Sequence, residues 1–87
     1  MRIISQGGNA DLPYEEIALC MACEDIIARH NDKEYLMARY STVEKAKKAM
    51  EMLHITYKGN KVEEVYQEGT NYYHSTFQFP ADEDVKV

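Results

Sequence analysis

Residues 41–59, S-T-V-E-K-A-K-K-A-M-E-M-L-H-I-T-Y-K-G, decide the fold because they specify one helix with a start, a stop and a buried face. The Ser41 hydroxyl can accept a hydrogen bond from a free N–H of the first turn, and Glu44 can reach back to the Ser41 N–H, as in a capping box. Gly59 follows the last periodic residue and can adopt the left-handed conformation that ends many helices. The pattern predicts a helix over about residues 42–58.

The apolar residues of this helix fall on one stripe when they are placed at about 100° per residue. The stripe consists of Val43, Ala46, Ala49, Met50, Leu53 and Tyr57. Lysine and glutamate side chains occupy the opposite side, so we expect the stripe to be buried against the rest of the chain. Met52 and Ile55 project onto the charged side, where they are either scattered surface residues or part of a second contact surface.

The rest of the chain carries the turn and alternation signals of β-strands. Gly7, Gly8 and Asn9 favour a turn, and Pro13 is compatible with a strand only at a sheet edge or a bulge. Residues 17–23 alternate large and small side chains, which favours a strand, although their composition also suits a helix over 17–30. The predicted strands are 2–6, 11–15, 17–23, 26–30, 35–40 and 72–79.

These elements predict an α+β domain over residues 1–80. Its antiparallel, meander-like sheet has about five strands, one face of the sheet is covered by the helix, and the last strand returns beside an existing one. Residues 81–87, A-D-E-D-V-K-V, are expected to form an acidic, frayed tail.

Composition limits the classes of function. No apolar run approaches the roughly 20 residues of a membrane span, and no signal peptide is visible, so we expect a cytoplasmic protein without membrane contact. The net charge of −5 argues against a general nucleic-acid binder. The helix region 42–61 is nevertheless basic, and Lys45, Lys47 and Lys48 keep a nucleic-acid accessory role open as an alternative.

Cys20 and Cys23 form a C-x-x-C, which supports a second alternative, a thiol-dependent or metal-dependent activity. On a strand, residues three apart point to opposite faces, so two small apolar core residues are the simpler interpretation. The three histidines lie in separate segments without the paired spacing of zinc ligands. No catalytic motif and no cofactor motif is recognisable, and we therefore predict that the protein is not an enzyme and needs no cofactor.

Seven tyrosines favour contact surfaces, because tyrosine combines large area with a polar tip. Tyr66 and Tyr72 join Met52 and Ile55 as interface candidates. The partners we expect are a second copy of the chain, in a homodimer, or an unidentified protein.

Four blocks of sequence resemble a known group of proteins. They are M-R-I-I-S-Q-G-G (1–8), L-P-Y-E (12–15), A-R-Y-S-T-V-E-K-A-K-K-A-M-E-M-L (38–53) and F-Q-F-P (77–80). The chain is similar over most of its length to small uncharacterised proteins encoded by phages, prophages and mobile elements of Gram-positive gut bacteria. The resemblance implies strands over 17–33 and a genomic setting, but no activity. The function predicted from the sequence is that of a small non-catalytic interaction or structural protein from such an element.

Overall fold

The computed structural model describes residues 1–66 and 76–87, with side chains up to Lys58 and again from Thr76. The secondary structure of these residues, in chain order, is β1 (Arg2–Ile4), β2 (Asp11–Pro13), a 3-10 turn (Tyr14–Glu16), β3 (Ala18–Ala22), β4 (Asp25–His30), β5 (Lys33–Arg39), α1 (Val43–Tyr66), β6 (Thr76–Gln78) and a second 3-10 turn (Asp82–Asp84).

The α+β class is confirmed, but the single five-stranded meander is wrong. The described strands form two three-stranded sheets, sheet A with the order β2-β1-β6 and sheet B with the order β3-β4-β5. Among the described strands β2 pairs with β1 alone, and Pro13 of β2 has no N–H that could hydrogen-bond to a further strand. The 3-10 turn at Tyr14–Glu16 follows directly, and the next strands start a new sheet. Strand β6 returns beside β1 in a parallel rather than an antiparallel arrangement.

Sheet B confirms the strand interpretation of residues 17–40 over the helical one. Its three strands are joined by two tight turns in which Cys23, Asn31 and Asp32 all have positive φ. Asn31 and Asp32 form the two-residue connection between β4 and β5, and asparagine and aspartate tolerate this left-handed conformation better than most residues. This turn fixes the register in which Arg29 lies opposite Glu34 and Ile27 lies opposite Leu36.

Helix α1 buries the predicted stripe. Ala46, Ala49 and Leu53 are fully buried in one cluster with residues of both sheets, including Ile3 of β1 and Ile26 of β4. Val43 at the start of the helix is exposed, while Met50 and Tyr57 are partly buried. The centroid of the Tyr57 ring lies 4.6 Å from the centroid of the Tyr14 ring. The helix thus spans the two sheets and joins them into one core.

The helix begins within one residue of the predicted start, but the predicted cap residue and the predicted end are wrong. The residue that caps the helix is Thr42, because the Lys45 N–H donates to Thr42 Oγ1 at 3.1 Å, and Val43 is the first helical residue. The Ser41 N–H instead donates to Asp82 Oδ1 at 2.7 Å. At the other end, the helix continues through Gly59 to Tyr66. A glycine permits a helix stop without requiring one, and inside a helix it costs only about 1 kcal/mol relative to alanine.

The cap assignment makes a prediction about two adjacent hydroxyl residues. Thr42→Ala is expected to lower the free energy of unfolding by about 1 kcal/mol, since it removes the hydrogen bond to the Lys45 N–H. Ser41→Ala keeps the hydrogen bond from the Ser41 backbone N–H to Asp82 and loses only an exposed hydroxyl contact with the same carboxylate, so it should change stability by less than about 0.5 kcal/mol. Urea unfolding of both variants measures the difference. A larger loss in Ser41→Ala than in Thr42→Ala would restore the original capping-box interpretation.

The C-terminal segment 81–87 is docked, in contrast to the frayed tail expected from its composition. Val85 is only 2% exposed, and the Tyr40 hydroxyl donates to the Pro80 carbonyl at 2.8 Å. Burial raises the pKa of Tyr40 to about 12. Asp82 pairs with Lys45 Nζ at 3.2 Å, and the hydrogen bond from the Ser41 backbone holds the pKa of its carboxyl below the usual value. The segment is therefore held in place by the buried side chain of Val85 and by the contacts of Asp82 with Ser41 and Lys45.

Candidate interaction face

A β-bulge determines which side chains of β5 point out of sheet B. Met37 and Ala38 are consecutive, yet both are buried, because the pairing with β4 shifts between Ile26 and Ile27. The extra residue sends Leu36 and Arg39 to the outer side, although they are three positions apart. Simple alternation along β5 would place Arg39 on the same side as Met37, and the bulge places it on the opposite side.

The outer face of sheet B is a grid of three strands and three rows. The cross-strand register aligns one residue from each strand in every row. The central row is Cys20, Ile27 and Leu36, one flanking row is Ala18, Arg29 and Glu34, and the other is Ala22, Asp25 and Arg39. We refer to these nine residues as the outer face.

The central row is apolar and accessible. Leu36 is 50% exposed, Cys20 is exposed and Ile27 is partly buried. A single exposed leucine is ordinary on a protein surface, but here it continues a row of apolar side chains across the sheet. Ala18 and Ala22, at the two ends of β3, have short side chains, so another surface can approach this side of the outer face closely.

The two flanking rows each carry an ion pair. The guanidinium of Arg39 donates to both carboxylate oxygens of Asp25, at 2.9 and 3.1 Å, and these hydrogen bonds lower the pKa of the Asp25 carboxyl. Arg29 donates to Glu34 in the other row, and this contact raises the pKa of Arg29. Such exposed pairs contribute little to stability, because water screens the attraction between their charges. Their main effect is to fix charges of both signs at known positions on the outer face.

The cysteines are not the core residues that we expected. Both Cys20 and Cys23 are exposed. Cys20 belongs to the outer face, whereas Cys23 lies in the β3–β4 turn with φ of 57°. Neither lies at a helix N-terminus, which is the setting that typically activates a C-x-x-C dithiol. Among the residues that the structure describes, no three histidine, cysteine, aspartate or glutamate side chains converge as metal ligands.

The two interface candidates on the described part of the helix, Met52 and Ile55, lie three positions apart on α1 and are neighbours on its surface. Met52 is partly buried and packs on the core, while Ile55 is 67% exposed. Tyr66 is the last helical residue and its side chain is not described, and Tyr72 lies outside the described residues. The contact patch therefore stays a prediction.

The three candidate phosphate-binding lysines have different surroundings. Lys45 is engaged by Asp82, and Lys48 lies 4.0 Å from Glu51. Lys47 is exposed. Two of the three positive charges thus face a carboxylate of the same chain, which weakens the local attraction for an anion.

A cleft of about 480 Å³ lies between the β1–β2 turn and β5, on the side of β5 that does not pair with β4. Gln6 closes one end of it, because its N–H donates to the Met37 carbonyl at 2.7 Å and its side-chain oxygen accepts from the Arg39 N–H at 3.1 Å. The lining residues include no serine, cysteine or histidine, so they supply no nucleophile with an adjacent base. The cleft does not suggest a reaction.

Comparison with protein-family models, curated proteins and solved structures gives no match. In the described part of the chain, no helix has both the length and the apolar character needed to cross a membrane. The candidate site therefore depends on geometry alone. Sequence reasoning missed the outer face, although one signal was present, since a two-residue Asn31-Asp32 turn already pairs Arg29 with Glu34.

Proposed function

We propose that the protein is a small, non-catalytic interaction protein of phage or mobile-element origin that acts in the cytoplasm. Its working surface in this proposal is the outer face, which binds a protein. The observation that carries the proposal is the exposed apolar central row between two ion-pair rows, on a sheet surface that no other described strand or helix covers. The proposed origin is supported only by the resemblance of the four sequence blocks.

The chemistry of the outer face favours a protein as the ligand. Its two arginines and two acids cancel, so the face lacks the positive excess that attracts nucleic acid or anionic lipid. The partner surface expected here carries an apolar strip with charges of both signs beside it, because this arrangement covers Leu36 and Ile27 without leaving a charge unpaired.

Photo-crosslinking in cells that express the full chain tests this function. A benzoylphenylalanine replaces Leu36 in one variant and Ile55 in the matched control, since both side chains are exposed but lie on different surfaces. The expected result is a discrete adduct from position 36, absent from position 55 and lost when Arg29→Glu and Glu34→Arg are added together. No adduct at position 36, or equal adducts at both positions, would overturn the proposal.

A further inference from the structure

The outer face is complementary to itself, and we infer that its partner is a second copy of this chain, related by a two-fold axis that runs along the central row. This inference depends on the proposed function, because it names the occupant of the same surface. It follows from the positions of four charges and three apolar side chains in the grid.

Rotation about this axis reverses the direction along the strands and leaves each strand over its own counterpart. Arg29 of one copy then lies over Asp25 of the other. Glu34 likewise lies over Arg39. The operation repeats both contacts at the other end of the face, as a two-fold axis requires. All four charges meet an opposite charge, and each end becomes an alternating cluster of two arginines and two acids.

The uncharged positions fit the same axis. Cys20, Ile27 and Leu36 lie on it, so each meets its own copy and the two apolar rows form one strip. On β3, Ala18 of one copy meets Ala22 of the other. These small residues allow the sheets to approach to about 10 Å, the usual distance between packed sheets.

The other in-plane axis, parallel to the strands, is unfavourable. It would place Arg29 over Arg29 and Asp25 over Asp25, and like charges in contact oppose association. The positions of the charges therefore select one of the two face-to-face arrangements.

The size of the face predicts a weak dimer. Three strands about 4.8 Å apart and three rows about 7 Å apart give roughly 300 Å² per copy. Standard stable interfaces bury about 800 Å² per partner, so the association belongs to the weak, transient class. We expect a dissociation constant above about 1 μM. The net charge of −5 on each copy also opposes association, so the test is made at about 0.15 M salt, where long-range repulsion is screened.

Swapping the charges of one row at a time tests the axis. The first variant combines Arg29→Glu with Glu34→Arg, and the second combines Asp25→Arg with Arg39→Glu. Each keeps its own ion pair within the sheet, so the fold is preserved, and circular dichroism checks this. In a homodimer of either variant every charge contact becomes repulsive. In a mixture of the two variants every contact becomes attractive again.

The expected result in sedimentation is at least a tenfold weaker self-association for each variant alone, and a mixture that associates within about threefold of the wild type. Two variants that self-associate like the wild type would overturn the inference, because the contact would then lie elsewhere, such as the edge of β3. The photo-crosslink at position 36 tests the proposed function separately. An adduct with a different protein, together with a wild type that stays monomeric, would support the proposed function and refute the inference that the partner is a second copy.

A chemical crosslink covers the case in which a swapped variant fails to fold. In a Cys20→Ser, Cys23→Ser background, Leu36→Cys places one thiol on the proposed axis, and Ile55→Cys places one on the helix as the control. A short bismaleimide should link two copies through position 36 and not through position 55. Pairing of two β3 edges would keep the two 36 positions far apart, so a wild-type Cys20 crosslink without one from Leu36→Cys would refute the axis.

Discussion

Replacing Leu53 with alanine is expected to lower the free energy of unfolding by about 3 kcal/mol. Leu53 is fully buried in the cluster where α1 meets both sheets, and alanine leaves a cavity that the flanking strands cannot fill. A domain of 87 residues has a total stability near the lower end of the usual 5–15 kcal/mol, so the loss is a large fraction of it. The melting temperature should fall by more than about 10 °C.

Ile55→Ala is the matched control, because Ile55 lies two residues further along the same helix and is 67% exposed. It should change the free energy of unfolding by less than about 0.5 kcal/mol. Chemical denaturation of both variants provides the comparison. Similar losses in the two variants would mean that the helix does not bury the face assigned to it.

Val85→Asp is expected to undock the C-terminal segment and to remove about 2–3 kcal/mol of stability. The carboxylate cannot remain unpaired in the buried site of Val85, so the segment leaves and the valine burial is lost. Undocking also separates Asp82 from the Ser41 N–H, which it holds at 2.7 Å. Hydrogen exchange at the Ser41 amide should therefore accelerate together with the loss of stability.

The control for this prediction lies two residues away. Val87 is 79% exposed, and Val87→Asp adds the same charge without burying it. Stability and exchange at Ser41 should stay at the wild-type values in this variant. If Val85→Asp behaved like Val87→Asp, the segment would be the frayed tail that its composition suggests.

Local patterns predicted the elements of this fold well. The apolar stripe of α1, the turn at Gly8 and the alternation of residues 17–23 all describe interactions within a few residues, and the structure confirms them. The predicted cap residue was wrong because the cap depends on a contact with a distant part of the chain. Asp82, 41 residues away, takes the Ser41 N–H, and Thr42 caps instead.

Arrangement in space was harder to predict, for two physical reasons. The parallel return of β6 to the free side of β1 is a contact between distant parts of the chain that leaves no local signal. The outer face depends on a bulge that buries Met37 and Ala38 together. The bulge shifts the alternation by one residue and moves Arg39 to the opposite face of the sheet. The sequence of β5 contains no glycine or other turn residue that would predict this bulge.

The cysteine prediction failed for a related reason. Small side chains were assigned to the core because they pack there readily, but the same size suits the open side of a sheet. Cys20 lies on that side because its larger neighbours Leu19 and Met21 face the core. Both thiols are therefore accessible, and the thiol of Cys20 lies on the proposed two-fold axis.

Sedimentation equilibrium of the wild type and of Leu36→Glu, at concentrations up to roughly 500 μM, measures whether the outer face joins two copies. The wild-type average mass should rise from the 10.1 kDa of one chain toward twice that value, while Leu36→Glu should stay at 10.1 kDa throughout. A wild type that stays at the mass of one chain, or a variant that rises with it, would contradict the assignment of this face.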